Sequence, residues 1–134
     1  MIRTLIVDNE KLVRRGIIAT VPWDKYGMQV VGEAYNGQHA LEFIKKGEVD
    51  LVSTDLIMPI MSGFQLMEEI NKKYAHVYVV VLTAHKNFDY AQESIRLGAV
   101  DYIVKSQFDI ETCDRTFKRI ASKINKSRVK SLIC

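Results

Sequence analysis

A chain of 134 residues, 48% hydrophobic and 26% charged, holds enough apolar matter for one packed domain and too much for a disordered segment. No apolar run reaches the roughly 18 residues of a membrane-spanning helix, and the first residues lack the basic, apolar and small-residue succession of a secretory leader, so no membrane partner and a cytoplasmic location are expected. The net charge of +3 hides a division: residues 1–114 hold 12 Lys and Arg against 16 Asp and Glu, whereas residues 115–134 hold 7 basic residues and no acid. A solvated helix end or a linker is the ordinary explanation of such a run, with contact to nucleic acid the alternative.

In chain order, "IRTLIV" at 2–7 is short, rich in β-branched residues and stopped by Asp8, and reads as a strand. A helical segment follows at 10–20. "MQVVGEAY" at 28–35 reads as the second strand, followed by a helix at 37–46 with Asn36 as its cap and Gly47 as its stop. "DLVST" at 50–54 and "VYVVVL" at 77–82 read as the third and fourth strands, with a helix at 63–74 behind Ser62 between them. A helix at 88–97, capped by Asn87 and stopped by Gly98, leads to the fifth strand, "DYIV" at 101–104. The last helix starts behind Asp109 and runs from 110 to about 126, with Ile110, Cys113, Phe117, Ile120 and Ile124 as its expected apolar stripe.

Cys113 and Cys134 are too few for a disulfide framework and lie in no metal-binding spacing. Cys113 is expected as a small apolar helix residue. His39, His76 and His85 fall in three separate segments and are expected at the surface or in loops.

Strict alternation of strand and helix requires a parallel sheet, because parallel neighbours need a crossover and the crossover is usually a helix. The uncharged "VYVVVL" suits a strand covered on both faces. A doubly wound α/β domain with five strands in the flavodoxin-like order 2-1-3-4-5 is the expected architecture. In such a sheet the carboxyl ends of all strands share one edge. Their exits bring Asp8, Asn9 and Glu10, then Asp55, then Thr83 and Ala84, then Lys105 to that edge.

Carboxylates crowded together resist joint ionisation unless a cation lies among them, and Mg2+ held by carboxylates and phosphate oxygens meets that need. A carboxylate can itself attack phosphorus and form an acyl phosphate, while an amine and a hydroxyl stabilise the transferring oxygens. The expected site is therefore a phosphoryl-acceptor crevice.

"LIVDNE", "STDLIMPIMSG", "VVLTAH" and "GAVDYIVK" resemble, in order and spacing, the motifs of two-component response-regulator receiver domains, over residues 2 to about 125. The resemblance implies a flavodoxin-like (CheY-like) (βα)5 fold with Asp55 as the phosphorylated carboxylate and Asp8 with Asn9 as the metal-binding pair. It further implies the main-chain carbonyl of Ile57 as a ligand of Mg2+, Lys105 as the phosphoryl-binding cation, Thr83 as the switch hydroxyl and Tyr102 as the aromatic that moves with it. Pro59 and Gly63 would shape the loop beside Asp55. A sensor histidine kinase is the implied phosphodonor. The implied output is a homodimer formed through the fourth helix, fifth strand and fifth helix.

"TVPWDKYGMQVVGEAYNGQHALE" and "NFDYAQESIRLGAVDYIVK" are similar to receivers whose output is an AraC-type helix-turn-helix domain. On this reading residues 1–125 are the receiver and 126–134 open a linker to a DNA-binding domain outside this chain. A stand-alone receiver is the alternative. Trp23 is expected as a partly buried anchor under the first loop.

Two positions depart from the family pattern. Asn9 stands where a second acid is usual, which removes one negative charge from the metal site and also suits a helix N-cap. Ser106 stands where proline is common, so the Lys105–Ser106 peptide is expected to be trans. Two rival readings follow: a degenerate receiver that docks or dimerises without phosphorylation, and an aspartate-nucleophile phosphatase. The second would want an acid two residues beyond Asp55, where this chain has Ile57.

Overall fold

The computed structural model describes residues 1–133. Five strands, β1 (Ile2–Val7), β2 (Met28–Ala34), β3 (Leu51–Thr54), β4 (Tyr78–Thr83) and β5 (Asp101–Val104), form one sheet in the order β2-β1-β3-β4-β5. Every neighbouring pair is parallel. The helices are α1 (Lys11–Thr20), α2 (Gly37–Lys45), α3 (Gly63–Lys73), α4 (Phe88–Arg96) and α5 (Ile110–Ile133). Among the described residues, no helix is long and apolar enough to cross a membrane.

Side chains alternate across each strand and so feed two separate cores. Leu5, Val7, Val52, Val79 and Val81 point to one face, where Ile44 of α2 and Leu66, Met67 and Ile70 of α3 cover them. Ile2, Ile6, Leu51, Val80, Leu82 and Ile103 point to the other, where Phe117, Ile120 and Ile124 of α5 lie with Trp23 and Tyr26. Each fully buried aliphatic or aromatic side chain stabilises the fold by roughly 1.5–3 kcal/mol. α1 contributes little to this: none of its residues is fully buried, and Ile17 and Ile18 only lean on the second core.

The expected caps are present. Asn36 accepts from His39 N at 2.8 Å, Asn87 from Tyr90 N at 3.1 Å and Asp109 from Thr112 N at 2.7 Å, and Ser62 forms a reciprocal capping box with Gln65. Gly47 and Gly98 end α2 and α4 with φ of +76° and +94°, a region that strains other residues. All peptides among the described residues are trans, including Lys105–Ser106.

Four expectations need correction. Asn9 does not cap α1; Glu10 occupies that position, makes no side-chain cap bond, and is exposed. Ile110 does not belong to the buried stripe: it is 89% exposed, and α5 meets the core only from Cys113 onward. His39 lies on α2, half-buried, with its ring 4.0 Å from that of Tyr35. The helix expected to end near residue 126 continues to Ile133, through the stretch read as a linker. One reason is visible: Arg128 reaches Asp50 at 3.2 Å and so ties the extra turns to the start of β3. Cys134 lies outside the described residues.

Two elements were not expected. One is a 3-10 turn at Lys105–Gln107 directly after β5. Residues Trp23–Tyr26 form the other, a short 3-10 helix between α1 and β2. Its Trp23 is a more fully buried anchor than expected, at 8% exposure, with Nε1 donating to the Ile18 carbonyl at 3.1 Å.

Candidate functional site: an acidic crevice at the carboxyl edge

Strand register places the acidic residues side by side. Val7 of β1 pairs with Thr54 of β3, so the next residues, Asp8 and Asp55, leave adjacent strands together. The ladder continues into them: Asp8 N donates to the Ala34 carbonyl and Asp55 N to the Val7 carbonyl, each at 3.1 Å. Thr83 pairs with Val104, so Lys105 emerges beside β4.

Lys105 joins the two carboxylates. Its Nζ lies 2.9 Å from Asp8 Oδ2 and 3.7 Å from Asp55 Oδ2. The remaining oxygens are held by the backbone: Glu10 N donates to Asp8 Oδ1 at 2.9 Å and Leu56 N to Asp55 Oδ1 at 2.7 Å. Asp8 is 2% exposed, and a carboxylate so deeply buried stays charged only when paired and hydrogen-bonded, as it is here. Its carbonyl also accepts from Arg14 of α1 at 2.7 Å, and Arg14 in turn donates to Glu33 at 3.0 Å. Burial raises the Glu33 carboxyl, but hydrogen bonds from Arg14 and Arg15 outweigh it and hold the group below its ordinary value.

Gly63 sits against the acceptor loop. Its N donates to the Leu56 carbonyl at 2.8 Å, and a Cβ there would lie 2.2 Å from the Asp55 carbonyl oxygen. Between them, Met61 N donates to the Pro59 carbonyl at 3.0 Å, and Ile60 at the middle of that tight turn has φ of +73°. A β-branched residue in this region is strained, by a cost on the order of 1–3 kcal/mol. The Ile57 side chain is exposed at the same loop.

Thr83 is wholly buried, and its Oγ1 accepts from His85 N at 3.3 Å. Tyr102 donates its hydroxyl to the His85 carbonyl at 2.7 Å. Burial, with smaller contributions from the Asp55 charge and Tyr90, raises the Tyr102 phenol above its ordinary value, so it stays a neutral donor near neutral pH. Thr83 and Tyr102 thus hold the two sides of one peptide unit's neighbour, His85, and neither bonds to Asp55 among the described residues.

The edge therefore unites Asp8, Asp55 and Lys105 directly, with Thr83 and Tyr102 one layer away. Asn9 is exposed beside them, and no third carboxylate, His or Cys converges among the described residues. The carboxylate oxygens of Asp8 and Asp55, brought to one edge beside Lys105, are hard donors of the kind that suits a dication such as Mg2+. Formally, two carboxylates and one ammonium give the crevice a charge of −1, to which Asn9 adds none.

A response-regulator receiver domain model matches residues 4–116. The chain belongs to the response regulator receiver domain family. Solved receivers resemble it closely in shape. The receiver domain of AraT, a response regulator from Geobacillus stearothermophilus, superposes with a TM-score of 0.84 at 35% identity, covering 96% of this chain and 99% of that one. A response regulator receiver domain protein from Clostridium thermocellum gives 0.79 at 25% identity, covering 96% and 98%.

Among curated proteins, this receiver is 30% identical over 105 residues to the uncharacterized transcriptional regulatory protein YesN of Bacillus subtilis, and 31% identical over 107 residues to the transcriptional regulatory protein HptR of Staphylococcus aureus. Each alignment covers 78% of the receiver but only 28% of YesN and 41% of HptR, so the chain spans less than half the length of these relatives.

Two contributors escaped the sequence reading. His85 acts through its backbone, so its side chain carries no signal. Arg14 reaches the site along a long side chain from a half-exposed helix, and only the pattern of a basic residue one turn into α1 could have pointed to it.

Proposed function

We propose that this receiver accepts a phosphoryl group on Asp55 from the phosphohistidine of a sensor histidine kinase, and that the modification switches dimerisation in a transcription regulator. The supporting observation is the Lys105 ammonium lying between the Asp8 and Asp55 carboxylates at one sheet edge. Leu56 N–H fixes Asp55 Oδ1, which leaves Oδ2 to attack phosphorus. The new P–O bond forms as the P–N bond breaks, and the departing imidazole nitrogen keeps the electron pair. Lys105 exchanges part of its contact with Asp8 for a phosphoryl oxygen, a charge-assisted bond that strengthens as negative charge builds there. Asp8, Asp55, the Ile57 carbonyl and the Asn9 amide oxygen would hold Mg2+, whose chemistry here is neutralisation of phosphoryl charge.

Thr83 then donates its hydroxyl to the phosphoryl group and gives up His85 N, and Tyr102 leaves the His85 carbonyl and turns inward. The β4–α4 loop is restrained by these two contacts, so their loss frees α4 to shift. The altered α4–β5–α5 face favours a symmetric dimer. The chain acts as substrate and partial catalyst of its own modification rather than as a turnover enzyme, in the cytoplasm. DNA recognition belongs to an AraC-type output domain outside this chain, a reading supported by the segment resemblances and by the greater length of the regulators it matches.

Intact-mass analysis with a small phosphodonor and Mg2+ tests this. The chain should gain about 80 Da, one phosphoryl group, and Asp55→Asn should gain nothing. One observation favours a second reading, a degenerate receiver: Asn9 removes an acid, and Lys105 sits closer to Asp8 than to Asp55. If only Asn9→Asp becomes phosphorylated, that reading replaces the first.

A further inference from the structure

The turn that delivers Asp8 is fixed from outside the crevice. Asp8 N continues the sheet ladder to the Ala34 carbonyl at 3.1 Å, which holds the peptide plane before Asp8. The plane after it is held by Arg14 of α1, whose Nη1 donates to the Asp8 carbonyl at 2.7 Å. Peptide units are planar, so with both planes held only the Asp8 Cα joins them, and its side chain leaves in one direction. Arg14 N also donates to the Glu10 carbonyl at 3.1 Å, which anchors the far end of the turn.

Arg14 is itself held. Its Nε donates to Glu33 Oε1 on β2 at 3.0 Å, and its side chain is 12% exposed. Arg15 donates to the other Glu33 oxygen at 2.9 Å, but it is 59% exposed and makes no hydrogen bond to the turn among the described residues. A guanidinium presents its donors in a rigid planar fork, and here one part meets a carboxylate while another meets a carbonyl. An ammonium, a point charge on a flexible stem, cannot fix both directions. Because Asp8 is 2% exposed, its carbonyl has little water to turn to if Arg14 is lost.

Charge alone is the rival account, since a guanidinium near the crevice would attract phosphoryl oxygens and repel a dication. The Glu33 carboxylate offsets that charge where it stands, and the directional bonds remain as the contribution of Arg14. We propose that Arg14 is a positioning residue of the crevice: by clamping the Asp8 carbonyl to Glu33 it aims the Asp8 carboxylate at Lys105 and Asp55. The proposal rests on the phosphoacceptor reading only for the use to which the aimed carboxylate is put.

The test is the water-exchange rate, by NMR, of the Glu10 amide proton, which Asp8 Oδ1 accepts at 2.9 Å. It is measured without metal in the unaltered chain and in R14Q, R14K and R15Q. R14Q and R14K should each speed this exchange about tenfold, and R15Q should leave it as it was. Slow exchange at Val80, wholly buried in β4, shows that the sheet is intact in each variant. In parallel, the gain of phosphoryl mass is followed with a small phosphodonor over a range of Mg2+ concentrations. R14Q and R14K should slow it about tenfold and need more Mg2+ for half the maximal rate, because a misaimed Asp8 holds the ion less well. A role of charge alone gives the reverse: a lower Mg2+ requirement in R14Q and full rescue by R14K. Either of those results overturns the proposal, as does Glu10 exchange that is unchanged in R14Q or equally fast in R15Q, or a normal mass gain despite faster exchange. An unaltered chain that gains no mass sinks the phosphoacceptor reading alone, because the exchange comparison needs neither metal nor phosphodonor and still decides the clamp.

Discussion

Alanine at position 63 would place a methyl group 2.2 Å from the Asp55 carbonyl oxygen and 2.9 Å from Leu56 Cα, both backbone atoms that cannot swing aside. Gly63→Ala should therefore destabilise the domain by about 1–3 kcal/mol, read as a lower urea midpoint, and should slow acquisition of the phosphoryl mass by displacing Asp55. An unchanged midpoint would mean the loop gives way freely. At this scale the sequence was informative where a residue's type and its place after a strand were enough: Asp8, Asp55 and Lys105 all meet at the edge. It was uninformative for Ile60 and His85, whose parts are played by backbone geometry. It misjudged Asn9 as a helix cap, because local capping preference competes with the pull of Asp8 on Glu10 N.

The α5 helix is held by an aromatic cluster that its own pattern only half announces. Phe117 is wholly buried, with the Trp23 ring edge-on at 5.3 Å, Tyr26 stacked at 5.7 Å and Phe108 edge-on at 6.1 Å. Tyr26 donates to Asp114 at 3.0 Å, and burial first, then that carboxylate, pushes its phenol up to about 12. Phe117→Ala should cost about 3–5 kcal/mol in thermal or urea unfolding. Because Trp23 is the lone tryptophan, its emission should shift to the red as the cavity admits water. The helical period identified Phe117, Ile120 and Ile124 as core. It extended the stripe one turn too far, to Ile110, since periodicity describes a face and not where the neighbouring layer begins.

Across the whole molecule, Asp50 links three distant parts of the chain. Arg3 N, Nε and Nη2 donate to it at 2.8, 3.0 and 3.1 Å, and Arg128 of α5 lies 3.2 Å away. Burial raises the Asp50 carboxyl, but the hydrogen bonds from Arg3 and the charges of Arg3 and Arg128 outweigh it and hold the group below the usual carboxylate range. A depressed folded-state value means stability that is present above the unfolded value near pH 4 and lost as pH falls through the folded one. Asp50→Asn should thus lower the melting temperature at pH 7, by a loss of about 1–3 kcal/mol, with the gap to the unaltered chain closing below about pH 4. A gap independent of pH would exclude the ion pairs as its source.

By itself the sequence determined the alternation of strand and helix and the set of residues delivered to the carboxyl edge, while the order 2-1-3-4-5 was an expectation that the sheet bears out. The alternation and the set follow from short-range periodicity and from the rule that parallel strands end together, neither of which needs coordinates. Only the tertiary structure decided that Lys105 lies nearer Asp8, 97 residues away, than Asp55. It also decided that α5 runs on past residue 126 under the hold of Asp50, and that His85 is clasped by Thr83 and Tyr102. These outcomes depend on distances between remote segments and on how far each charge is withdrawn from water, and no local pattern of residues encodes either.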